Sequence, residues 1–171
     1  CACLVGSEMC IRDSIHTDTV AVTAFATMHD SPGSCGYRFE LSDGQTCAVC
    51  TDLGCVTPEV KKGVYGADLV LLEANYDPNM LRNGPYPEML QERIRGKYGH
   101  LSNGDSAGMA EALIAHGTTR LILGHLSENN NTMPLAQQTV LEHLQEQGMR
   151  RNQDFLLQVS SPEGLKQAVI F

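Results

Sequence analysis

The chain has 171 residues, a length that favours one domain, and 42% of them are hydrophobic, enough for an ordinary core. Its formal net charge of −8 excludes a generally basic polyanion-binding protein, so any nucleic-acid contact needs a local basic patch or bound metal. No apolar run is long enough to span a bilayer, and the opening CACLVGSEMC carries no signal-peptide pattern.

Residues 3–14 read CLVGSEMCIRDS, the in-frame translation of a transposon-based sequencing adapter. Residues 1–14 are therefore set aside as an artefact, as a cloning scar would be, and residues 15–171 are taken as a partial domain. Residues 19–28 (TVAVTAFATM) mix β-branched and apolar side chains and predict a strand, ended by His29-Asp30 and an SPGS loop. Residues 36–41 and 46–51 predict two further strands, joined by a hairpin turn at Ser42-Asp43-Gly44-Gln45. Thr57-Pro58-Glu59 opens a short helix, with Thr57 as N-cap and Pro58 in the first turn. Residues 67–73 form a nearly continuous apolar run, which reads as a strand buried on both faces.

Residues 75–87 are rich in Pro, Asn and Gly and read as a loop. Helices are predicted over 87–97, over 103–116 with Ala107, Ala110 and Ile114 on one stripe, and over 133–147. Strands are predicted at 119–123, 155–159 and 168–170. The order β-β-β-α-β-α-α-β-α-β-β implies a mixed sheet with helices on at least one face, and no second sheet to pack against it.

With the first 14 residues set aside, the cysteines are Cys35, Cys47, Cys50 and Cys55. Cys47 and Cys50 form a C-x-x-C, but they sit in a strand, where residues three apart face opposite sides, and no second pair follows. They read as ordinary strand cysteines, and reduced thiols suit a cytoplasmic protein.

His29, Asp52, Glu73 and His125 each end or follow an apolar run. Strand ends that deliver His, Asp and Glu to one sheet edge are how α/β hydrolytic sites are built, and these side chains suit zinc or manganese. Each also has a plainer reading. A lone histidine at a strand end serves structure more often than a metal, Asp52 before Gly54 suits a turn cap as well as a ligand, and a buried Glu73 needs a partner in any case. His100 lies in YGHLSNGDSAGMAEAL, where Ser102 and Asp105 have capping-box spacing and the helix start is a ready anion site. Ser127, after His125, can bind a phosphate or support the site. His16, His116 and His143 read as surface residues. Arg93, Arg95 and Lys97 read equally as a solvated helix face or as a local positive field for an anionic substrate.

VAVTAFATMHD, CAVCTDLG, LVLLEANYD, GHLSNGDSAGMAEAL and RLILGHLSENNN, in that order and spacing, resemble the later motifs of the metallo-β-lactamase fold. They are most similar to its YycJ/WalJ-type branch of small, nuclease-like hydrolases. The resemblance covers residues 15–171 and implies the C-terminal part of an αββα sandwich, a mixed α/β sheet flanked by helices. It implies metal ligands at His29 and His125 and a bridging carboxylate at Asp52, with two divalent ions, Zn²⁺ or Mn²⁺. As in the tRNA 3′-processing enzymes, it implies that Glu73 orients His100, which contacts the scissile phosphate and protonates the leaving oxygen. Asn103 and Ser127 would hold phosphate oxygens, and nucleic acid would be the substrate, with no membrane partner.

Two departures stand out. The family's H-x-H-x-D-H, the source of most metal ligands, is absent from the sequence and is expected upstream of this chain. Relatives also tend to carry His where Tyr76 stands, so Tyr76 has no metal role. The chain by itself is accordingly expected to be inactive, with the dinuclear site belonging to an intact parent. The fold also hosts hydrolases of thioesters, lactones and lactams, so small-molecule hydrolysis and a non-catalytic fragment are the rival readings.

Overall fold

The computed structural model describes residues 14–161. Its centre is a seven-stranded mixed sheet in which each strand lies beside its neighbour in sequence. Strands β1 (Ser14–His16), β2 (Val20–Ala26), β3 (Cys35–Leu41) and β4 (Thr46–Cys50) run antiparallel, and β5 (Leu69–Glu73), β6 (Arg120–Gly124) and β7 (Leu156–Val159) continue from β4 in parallel. The β3–β4 hairpin turns at Asp43-Gly44 as predicted. Gly44 takes φ 91°, which costs a residue without Cβ little, and the Gln45 N–H donates to Asp43 Oδ1.

Parallel neighbours require crossovers, and the helices supply them. Helix α1 (Pro58–Val64) joins β4 to β5, α5 (Met133–Glu146) joins β6 to β7, and three helices lie between β5 and β6: α2 (Pro78–Asn83), α3 (Glu88–Arg95) and α4 (Asn103–Ala115). Thr57 caps α1 through its hydroxyl, which accepts from the Val60 N–H at 3.2 Å. Helix α2 corrects the loop reading of residues 75–87. Asp77 caps it by accepting from the Asn79 and Met80 N–H groups, Pro78 starts its first turn, and Leu81 is fully buried. Strand β1 was likewise not foreseen, and it begins at Ser14, the last residue of the segment set aside from the fold. Residues 1–13 and the strand predicted at 168–170 lie outside the described residues.

The strand registers sort the side chains into two faces. Ala48, Val70, Leu121 and Leu157 lie in one row, and Cys50, Leu72 and Leu123 in the next. These meet Val60 and Val64 of α1, Ala107, Ala110 and Leu113 of α4, and Val140 and Leu144 of α5 in a continuous core. The opposite face is apolar too: Val22, Phe39, Cys47 and Leu69 share one row, and Tyr37, Val49, Leu71 and Ile122 the next. None of these belongs to the helix-covered core, and Val22, Phe39, Val49 and Leu71 remain half-exposed. An apolar second face of this kind is what one sheet of a sandwich presents to the other. No helix among the described residues is long and apolar enough to cross a membrane.

A one-sided core makes a testable contrast. Leu72→Ala, on the helix side, should cost about 2–5 kcal/mol of stability, and Val49→Ala, on the open face, about 1 kcal/mol or less. Denaturant unfolding of the two variants measures the difference, and equal losses would contradict it.

Candidate metal centre

The C-terminal ends of β4, β5 and β6 lie side by side, and the site is built on the turns that leave them. Glu73, the last residue of β5, is fully buried. Its Oε1 accepts from His100 Nδ1 and from His125 Nδ1, both at 2.7 Å. Its Oε2 accepts from the Leu53 N–H at 2.8 Å and the Leu101 N–H at 3.4 Å. Burial alone would push this carboxyl up. The hydrogen bonds from His100 and His125, the charge of His100 and the Leu53 amide outweigh it and hold Glu73 below its ordinary value of 4.5.

This pairing decides the tautomers. An imidazole that gives its Nδ1–H to a carboxylate turns Nε2 outward with a free lone pair. His29 reaches the same state differently, because its Nδ1 meets the Gly99 carbonyl at 2.9 Å and can only be the donor there. His29 Nε2 then lies 3.5 Å from Asp52 Oδ1, and His125 Nε2 lies 3.9 Å from the same oxygen. The His100 ring sits between the other two, with centroids 4.8 Å from His29 and 5.3 Å from His125.

Backbone constraints fix these positions. Asp52 and His125 both take left-handed φ, 53° and 56°, an arrangement that costs about 1–3 kcal/mol at a residue other than glycine. Asp52 is held by its neighbours: the Gly54 N–H donates to the Met28 carbonyl, and Leu53 is tied to Glu73. At His125, Asn75 Nδ2 donates to the carbonyl at 2.8 Å, and the Ser127 N–H returns a bond to the Asn75 carbonyl. The His100 loop runs alongside the exit of β5, with the Asn75 N–H donating to Leu101 and the Asn103 N–H to Tyr76.

The structure thus brings His29, Asp52, Glu73, His100 and His125 together. Two overlapping triads, His29 with Asp52 and His100, and Glu73 with His100 and His125, have the donor types that suit a divalent cation; in a tetrahedral set with bonds of about 2.1 Å, ligand atoms stand about 3.4 Å apart. The ligand atoms of His29, Asp52 and His100 lie within 4.8 Å of one another, so His100 is as near to such an ion as the ligands expected from the sequence.

Asn103 goes elsewhere. It is fully buried, and its side-chain amide is paired reciprocally with that of Asn131 at 3.0 and 2.8 Å. Its polar atoms are committed to the scaffold rather than to a phosphate. Ser102 does cap α4, accepting from the Asp105 N–H at 3.1 Å. Ser127 lines a cavity of about 330 Å³ beside the histidines, and its Oγ accepts from Asn130 at 3.2 Å.

Residues outside the expected set also matter. Asp30 directs Oδ1 to within 3.5 Å of His29 Nε2 and accepts a hydrogen bond from Arg93 of α3, which holds its carboxyl below the ordinary range. Arg93 therefore stands on the wall of the cavity, and Lys97 lies over the Tyr98 ring. The adjacency of Asp30 to His29 was the one signal available for it. The remaining histidines are distant: His16 bonds to Ser14, His116 stacks on Tyr65, and His143 pairs with Glu111. Cys47 and Cys50 take opposite faces as expected, and burial pushes the Cys50 thiol up to about 12. Cys35, Cys47, Cys50 and Cys55 are all free.

A family model described as a beta-lactamase superfamily domain matches residues 6–126. The exodeoxyribonuclease WalJ of Streptococcus pneumoniae is 34% identical over 144 residues, 84% of this chain and 53% of the relative. The exodeoxyribonuclease YycJ of Bacillus anthracis is 32% identical over 144 residues, 84% and 54% of the two chains. The chain therefore spans about half the length of the curated relatives it matches. Among solved structures, Zn²⁺-bound PqqB from Methylobacterium extorquens superposes with a TM-score of 0.57 at 19% identity, over 91% of this chain and 49% of that one, a likeness of fold.

The Glu73 network carries a pH signature. His125 is held above its ordinary 6.5 first by the hydrogen bond to Glu73, against burial, and then by the charges of Glu73 and Asp52. A raised histidine gives stability that is present below 6.5 and lost as pH rises through its folded value. A lowered carboxyl gives stability that is present above 4.5 and lost as pH falls through its folded value. The metal-free cluster is therefore tightest in mildly acidic solution. Glu73→Gln should lower the His125 titration midpoint seen by NMR and weaken divalent-ion affinity about 10- to 100-fold. An unmoved midpoint would contradict the network.

Proposed function

This chain belongs to the beta-lactamase superfamily, as a YycJ/WalJ-like protein of the metallo-β-lactamase fold, and on that premise we propose that it carries half of a metal-dependent phosphodiesterase acting on nucleic acid. The observation that carries the reading is the bond of His100 Nδ1 to Glu73, which leaves Nε2 as the free ring nitrogen of a histidine grouped with His29 and Asp52. The names of the relatives support DNA as the substrate class.

In this reading His29, Asp52 and His125 would be ligands to two divalent ions, Zn²⁺ or Mn²⁺. The remaining ligands come from an H-x-H-x-D-H segment outside this sequence. The bound ions would supply Lewis acidity toward a phosphate oxygen and acidify a water. The chain's own groups do the rest. Glu73, anionic and immobile, keeps Nδ1 of His100 as a donor, so any proton that His100 delivers leaves from Nε2. With the His100 ring protonated at both nitrogens, water bonds to phosphorus and releases one proton to solvent, the bond from phosphorus to the leaving oxygen breaks, and that oxygen takes the Nε2 proton to become an alcohol. Ser127 offers its hydroxyl hydrogen to a phosphate oxygen from the cavity wall. Arg93 supplies positive charge beside an otherwise acidic set, where an anionic strand needs it.

The reading is tested in a polypeptide that carries an H-x-H-x-D-H segment ahead of residue 15. Mn²⁺ or Zn²⁺ should support hydrolysis of bis-p-nitrophenyl phosphate and of DNA. His100→Ala should lower kcat about 10²- to 10⁴-fold with less effect on KM, and the 171-residue chain alone should not turn over. Faster turnover of a thioester than of the phosphodiester would contradict the proposal.

A further inference from the structure

The cavity beside the histidines is lined by two chemically different groups of side chains. One is polar, formed by His29, His100, His125, Asp30 and Arg93. The other is formed by Tyr86, Leu90, Ile94 and Leu126. A bare phosphodiester needs only the first group. Of the second group, Leu126 packs against the core, but α3 buries no residue, and Leu90 and Ile94 belong neither to the hydrophobic core nor to the residues packed against it. Both are half-buried and line this cavity.

Tyr86 is fixed at both ends. Its carbonyl accepts from Gln91 Nε2 at 2.9 Å, and its hydroxyl oxygen accepts from Asn129 Nδ2 at 3.0 Å. It stands between Pro85 and Pro87, which stiffen the segment, and its hydroxyl ties that segment to the turn following His125. An aromatic ring held this way on a cavity wall is a preorganised stacking surface. A volume of about 330 Å³ is at the small end of ligand sites, which matches one flat ring with its sugar and phosphate and not a stretch of duplex.

We propose that this cavity receives a single unpaired nucleotide, its base against Tyr86 and Leu90 and its phosphate toward Arg93 and the histidines. The inference rests on the phosphodiesterase reading and deepens it, because it makes an unpaired nucleotide the recognised unit. Arg93 can serve because its bond to Asp30 is largely exposed, so an incoming phosphate competes for it at little cost. The nucleotide can be the end of a strand or a free nucleoside monophosphate, and the chemistry of the subsite is the same for both.

The experiment compares equilibrium binding of thymidine 5′-monophosphate and 2-deoxyribose 5-phosphate to the 171-residue chain in the presence of Mn²⁺. Both probes carry the same phosphate, so their ratio isolates the base. The nucleotide should bind about tenfold tighter or more, Tyr86→Ala should abolish the advantage, and Tyr86→Phe, which keeps the ring, should retain it. Equal affinities, or an advantage that survives Tyr86→Ala in a variant with wild-type circular dichroism, would overturn the proposal. Tyr86-dependent binding of a single-stranded oligodeoxynucleotide in preference to a blunt duplex supports the strand end as ligand. Tyr86-dependent binding of the monophosphate without binding of the oligonucleotide supports the subsite and assigns it a free nucleotide. If the completed protein fails to cut DNA, the base-dependent ratio still stands. If it cuts DNA with no dependence of binding on Tyr86, the subsite alone is overturned.

Discussion

Burying the Glu73 carboxylate at the end of β5 obliges the fold to bring four donors to it, and the rest of the site follows from where those donors come from. An uncompensated charge in the interior costs several kcal/mol or more, roughly the net stability of a small domain. Two backbone amides and two imidazoles meet the requirement. They come from the turn after β4, the loop before α4 and the turn after β6. One buried carboxylate therefore ties three separate loops together and, through them, aims Asp52, His100 and His125 at one another. The imidazoles are oriented before any ligand arrives, which is the preorganisation that metal binding and proton delivery both require.

The backbone shows the cost of this arrangement. Among the described residues other than glycine, Asp52, His125 and Asn152 have positive φ, and the first two are at the site. The surrounding asparagines offset the strain. Asn75 holds the His125 carbonyl, and Asn131 donates to the Ala74 carbonyl while closing its pair with Asn103. These buried amides make the exits of β5 and β6 a single hydrogen-bonded unit. Asn103 is thus part of the buried amide network.

Much of this was legible in the sequence because the strands announce themselves. The runs ending at His29, Asp52, Glu73 and His125 are apolar and β-branched, and a parallel register places the exits of β4, β5 and β6 at one edge. Glu73 was recognisable as a buried group in need of a partner. That it would take His125 as well as His100 was not, since the two histidines reach it across 52 and 27 residues of chain. Asn103 was read as a phosphate contact because a helix start with a capping serine suggests an anion site, whereas the structure buries it and pairs its amide with Asn131. Its burial depends on Asn131, far away in sequence. Helix α2 was missed although Asp77-Pro78 repeats the cap-then-proline signal that Thr57-Pro58 gave correctly, because the surrounding Pro, Asn and Gly outweighed it. The wall formed by Tyr86, Leu90 and Ile94 had no sequence signature, since two apolar residues on a short polar helix and a tyrosine just ahead of it look like ordinary core contacts.

The central claim is that Nε2 of His29, an oxygen of Asp52 and Nε2 of His125 serve as ligands to divalent metal while Glu73 keeps the Nδ1 atoms of His100 and His125. Anomalous diffraction from crystals of the chain equilibrated with Zn²⁺ tests it most directly. The account predicts a peak about 2.0–2.2 Å from Nε2 of His29 and from the Asp52 carboxylate, with both Glu73 hydrogen bonds intact. A peak ligated through Nδ1, or the absence of any peak among these residues, would contradict it.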